Sequence, residues 1–139
     1  MTQFDTIFDS CAKQSGLAWY LVDKLPQSGV QGAKQYKYPC IWRNFNEQFQ
    51  PLFNLTKQIE REMSLYFVEI GFTKKTKELI NEDFENLMTK YISFRDLMYR
   101  RGIDLQFTQK PFPNWKQTDY DEYGIVFNLT AKYSECLTA

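Results

Sequence analysis

The chain has 139 residues, of which 43% are apolar and 24% charged. That is the balance of one globular domain, 1–139, long enough to bury a core without metal or disulfide support. Lysine plus arginine equals aspartate plus glutamate at 17 each, and histidine is absent. No net field gathers nucleic acid or anionic lipid, and the commonest general base and metal ligand is missing.

Cys11, Cys40 and Cys136 are widely spaced and form no C-x-x-C pair. They therefore read as reduced, small apolar residues rather than a zinc or redox site. The opening "MTQFDTIFDSCAK" lacks a basic start and an apolar run, so no signal peptide is expected. No apolar stretch reaches the ~20 residues of a membrane span. Aromatic residues, in contrast, make up 17% of the chain, and rings are favoured both in cores and at protein interfaces.

In chain order, Phe4, Ile7, Phe8 and Cys11 mark a short amphipathic helix that Gly16 can end. "LAWYLVDKL" reads as a strand, and "PQSGVQGAKQ" as a mobile loop or hairpin tip around 25–35. "YKYPCIW", Tyr36 to Trp42, resumes as a strand, with Pro39 pointing to an edge position. Phe45 to Phe53 fits neither template. "QIEREMSLYFVEIGF" alternates Met63, Leu65 and Phe67 with Tyr66, Val68 and Ile70. Such a strand is apolar on both sides, as expected of a central strand covered by helix on one face and by another layer or subunit on the other.

Beyond Gly71, apolar residues Ile80, Phe84, Leu87, Tyr91 and Met98 recur at helical spacing up to Arg100, Arg101 and Gly102. Ile103, Leu105 and Phe107 alternate in a further strand. After "KPFPNWKQTDYDE" comes "YGIVFNLTAKYSE", where Tyr123, Ile125, Phe127, Leu129, Ala131 and Tyr133 share one side and Val126 is the apolar exception on the other. These last two strands are expected to form an antiparallel hairpin with an oversized loop. The order predicts an α+β fold: a single antiparallel or mixed sheet packed against one long helix, with a short N-terminal helix.

Chemistry-bearing motifs are weak. "DYDE", Asp119 to Glu122, has oxygen ligands but no EF-hand spacing and reads as a solvated turn. Glu60, Glu62, Glu69 and Asp104 could pair as catalytic carboxylates, yet nothing in the sequence brings two together, and Glu69 reads as a strand end emerging into water. No serine sits in a nucleophile elbow, and "TKKTK" at 73–77 reads as a solvated helix entry. No catalytic, cofactor-binding or metal site is expected. The candidates are interface residues instead: Phe112, Trp115, Tyr120 and Tyr123 in a proline-stiffened loop, and Tyr66 and Val68 on the second side of the central strand.

The element order, with "REMSLYFVEI", "ELINEDFENLMTKYISFRDLMYR" and a closing "YGIVFNLTAKYSEC", resembles the tail terminator and tail-completion proteins of long-tailed bacteriophages. That resemblance implies a structural virion protein, made in the host cytoplasm, that forms a six-fold ring at the head-proximal end of the tail tube. Its partners would be its own copies, the tube and the neck or connector proteins, with no membrane, no sequence-specific nucleic acid and no cofactor. A small cytoplasmic adaptor module and a carboxylate-based enzyme are the alternative readings.

Overall fold

The computed structural model describes residues 2–23, 36–51, 57–114 and 121–137. Two strands of thirteen residues form its axis: β4 (Gln58–Ile70) and β7 (Glu122–Ser134), antiparallel from Gln58↔Ser134 to Ile70↔Glu122. On the far side of β4 lie β2 (Cys40–Asn44), antiparallel to it, and β1 (Ala18–Val22), parallel to β2. Further along the same side β3 (Gln48–Pro51) also pairs with β4. On the outer side of β7, β5 (Asp104–Phe107) and then β6 (Phe112–Asn114) pair in succession. The sheet thus runs β1-β2-β4-β7-β5 and is mixed. Two helices, α1 (Gln3–Gln14) and α2 (Lys77–Arg100), complete the expected α+β layout.

Each helix carries its own stop and start chemistry. The Thr2 hydroxyl accepts from the Asp5 N–H at 3.1 Å and opens α1. The Thr76 hydroxyl does the same for Leu79 at 3.2 Å in α2. After Arg100, Gly102 takes a left-handed φ of 91° and the Ile103 N–H returns to the Met98 carbonyl at 2.9 Å, satisfying the final turn.

The odd-numbered residues of β4 and β7 face the helices. Leu65, Phe67, Phe127 and Leu129 join Phe8, Leu87, Tyr91 and Phe94 in the main core. Tyr91 lies flat on Phe127, with ring centres 4.2 Å apart. On the opposite side of the sheet the same strands divide lengthwise. Ser64, Asn128 and Thr130 are polar, whereas Tyr66, Val68 and Val126 pack with Trp42 and Cys40 in a second cluster.

Three expectations change here. Pro39 does not put its strand at an edge: β2 begins one residue later, at Cys40, so the proline needs no ladder bond and β2 is free to lie between β1 and β4. Among the described residues, the second side of β4 faces no further layer. Its rings are covered by Tyr20, Tyr36 and Tyr38 of the same chain. The oversized hairpin loop is shortened from within, because β6 returns to pair with β7 and the last hairpin becomes a two-part edge. The segment 45–53, which fits no template, contains the exposed strand β3.

Gly124 sits where β7 crosses β4 opposite Val68. A β-carbon there would overlap the Phe67 carbonyl oxygen and stand 2.8 Å from the carbonyl carbon, both rigid backbone atoms. Gly124→Ala is therefore expected to cost about 3 kcal/mol or more by forcing the two central strands apart. Urea unfolding followed by tryptophan fluorescence should show the midpoint fall sharply. A midpoint unchanged within error would mean that the strands do not approach this closely.

Candidate functional site

Three polar arrangements and two apolar edges stand out. The first lies between α1 and the sheet, where Arg43 and Arg61 are buried among rings. Arg43 gives Nε to Glu47 at 2.5 Å and Nη2 to the other Glu47 oxygen at 3.1 Å, and Nη1 to Asp5 at 2.8 Å. Arg61 Nε reaches Glu47 at 2.5 Å. Both guanidinium groups stack on aromatic faces: Arg43 lies 4.8 Å from the Phe8 ring centre, and Arg61 lies 4.1 Å from Phe4 and 4.4 Å from Phe49. Two cations and two carboxylates balance, so this is a closed lock joining α1, β2, β3 and β4 rather than a charge waiting for a ligand.

Burial pulls the Asp5 carboxyl up, but the charge and hydrogen bond of Arg43, with Thr2 and Arg61, outweigh it and hold the pKa below its ordinary value. A lowered folded pKa contributes stability that is complete above the unfolded value of about 4 and fades as pH falls through the folded one.

The second arrangement surrounds Glu122, which is fully buried. The Tyr38 hydroxyl donates to its carboxylate. Burial, then the Glu122 charge, pushes up the Cys40 thiol and the Tyr66 phenol. A thiol held protonated is a poor nucleophile, and the cluster packs the sheet's second face. Glu122 corrects, at its own position, the expectation of a solvated turn at 119–122, of which 119 and 120 lie outside the described residues. Within that run Asp121 is half-buried, and its carboxylate accepts from the Thr73 N–H at 2.8 Å.

The third arrangement closes the end of the sheet over the start of α2. Lys75 Nζ reaches Asp83 at 2.8 Å and the Tyr123 hydroxyl at 2.9 Å, and that hydroxyl donates to Asp83. Burial, then the bond to Asp83, pushes the Tyr123 phenol up to about 12. Within "TKKTK" Lys75 is thus tied, while Thr73, Lys74, Thr76 and Lys77 are exposed, as in a solvated helix entry. Beside it Glu69 is half-buried, not emerging into water, and burial raises its carboxyl.

Of the six candidate interface residues, Phe112 alone is described as exposed, at 42%. Tyr66, Val68 and Tyr123 are buried inside the protomer. Tyr66 and Val68 lie on the second side of the sheet, covered by Tyr20, Tyr36 and Tyr38, and Tyr123 lies on the helix side against Phe72 and Phe84, so none of the three is free at the protomer surface. Trp115 and Tyr120 lie outside the described residues, as does the 25–35 loop. Among the four carboxylates considered for catalysis, Glu60 meets Lys132 at 3.5 Å and Asp104 accepts from Gln106 at 2.9 Å. Among the described residues no group of three or more potential metal ligands forms, and no helix is long and apolar enough to cross a membrane.

Of the exposed large apolar side chains, Leu79, Ile92 and Tyr99 lie on α2, and the others stand at opposite edges of the sheet. On the β5–β6 edge stand Phe107, 46% exposed, and Phe112. Behind them a groove of about 640 Å³ runs between Phe84 and Met88 of α2 and Pro111 and Pro113. On the β1–β3 edge stand Leu21, 57% exposed, with Phe45 and Phe49. Leu21, Phe45 and Phe107 were not singled out from the sequence, because alternation reports which face a residue takes and not how near the sheet's margin it lies. The inward arginines did leave a signal: Arg43 shares the parity of Ile41, and Arg61 that of Met63 and Leu65. The chain matches no protein-family model, and no curated protein matches it.

Replacing Glu47 by Ala takes the carboxylate from buried Arg61 and leaves buried Arg43 with Asp5 alone, and should destabilise the fold by about 3–5 kcal/mol, read as a shift in the denaturant midpoint. Acid titration of stability provides a separate check. The wild type should lose more stability than Asp5→Asn between pH 5 and pH 2, and parallel curves would remove Asp5 from the lock.

Proposed function

We propose that this chain is a structural virion protein of a long-tailed bacteriophage, a tail terminator or tail-completion protein. Its copies form a ring at the head-proximal end of the tail tube and join the tube to the neck. The observation that supports the reading is the pair of unlike apolar edges on opposite sides of one sheet. A ring needs a heterologous contact, in which one patch meets a different patch on the next copy, and two unlike patches on opposite flanks meet that requirement. The equal number of acidic and basic residues adds little repulsion between copies. Of the alternatives, the adaptor module would use one of these edges for a foreign partner and leave the other bare.

Light scattering and negative-stain microscopy of the purified chain test the assignment. Closed rings whose population grows with protein concentration are expected. A monomer that persists to millimolar concentration would overturn it. Phe112→Asp and Leu21→Lys should each lower ring formation at least tenfold while changing protomer stability by only about 0.5 kcal/mol, since both side chains are exposed. Equal loss of fold and assembly would instead assign these residues to the core.

A further inference from the structure

The two edges are not open along their whole length. β6 carries Pro113 and is preceded by Pro111, and β3 ends at Pro51. Proline has no N–H to give, so these segments are poor templates for another strand. β1 and β5 contain no proline, and among the described residues each pairs on one side only. Among the described residues, one blocked and one open segment therefore stand on each flank.

Strand directions decide what the open segments can do for one another. β1 runs parallel to β2, β2 antiparallel to β4, β4 antiparallel to β7, and β7 antiparallel to β5. β1 and β5 consequently point in opposite directions. Copies repeated head to tail along the sheet keep both strand direction and face, so β5 of one copy meets β1 of the next antiparallel. The lengths agree, five residues against four. Full overlap places Trp19 beside Phe107 and Leu21 beside Leu105, all on the helix side, and Tyr20 beside Gln106 on the other. Leu21 and Phe107 are each about half exposed because the sheet ends at them, and one added strand covers both.

Resting on the ring assignment above, we propose that the occupant of each open edge is a second copy of this chain, with β5 of one protomer laddered to β1 of its neighbour so that a single sheet runs through the assembly. Head-to-tail pairing leaves no open edge once the ring closes, whereas two-fold pairing of β1 with β1 or of β5 with β5 would leave the other edge bare.

The test uses the full chain with the exposed Cys136 changed to Ser; the remaining cysteines, Cys11 and Cys40, are buried. Leu21→Cys and Phe107→Cys are introduced singly and together, a short bis-maleimide is added, and light scattering is recorded on the same samples. Within one protomer β1 and β5 stand four strand spacings apart, about 19 Å, too far for the reagent. In the proposed ladder the two positions are diagonal neighbours about 7 Å apart. The double variant should give a series of covalent multimers on a denaturing gel and the single variants none. Multimers from either single variant would establish two-fold edge pairing and overturn the proposal. Assembled protein without covalent multimers would overturn the ladder and leave the ring standing. Monomer without multimers would overturn both.

Discussion

The antiparallel ladder between β4 and β7 is the constraint on which the rest depends. Thirteen residues pair with thirteen in unbroken register, and every other strand attaches to one of these two directly or, for β1, through β2. Because side chains alternate, one ladder assigns faces to both strands at once. The odd-numbered side chains meet the helices, and the even-numbered ones build the second cluster and the polar stretch. Gly124 is the cost of such close contact, since any side chain there would strike the Phe67 backbone.

What the ladder does not hold, ions and hydrogen bonds fasten locally. Glu47 lies between two arginines and brings the β2–β3 connection against α1, with Asp5 as the fourth member. Asp121 and Lys75 secure the turn from β4 into α2. These groups satisfy one another inside the protomer. Among the described residues these charged groups are tied within the protomer, while large apolar side chains stay exposed at both sheet margins and on α2.

Much of this was legible in the sequence, and the parts that were not have physical reasons. Alternation from Tyr123 to Tyr133 and from Met63 to Ile70 identified both central strands, and the cap residues Gly16 and Gly102 marked the ends of both helices. The same alternation could not say what covers an apolar side. Tyr66 and Val68 were therefore assigned outward, whereas the Tyr36–Tyr38 segment folds across them. Pro39 misled about its strand because a proline one residue before a ladder looks the same as one inside it. The margin residues Leu21 and Phe107 carry no local signal at all, since exposure at an edge follows from strand order, a long-range property.

Assembly through the sheet margins is the central claim, and amide hydrogen exchange measured at rising protein concentration tests it most directly. The amides of β1 and β5 should gain protection as concentration rises, while those of β4 and β7, already paired on both sides, should not change. Exchange from β1 and β5 that stays the same across the whole range would contradict the account.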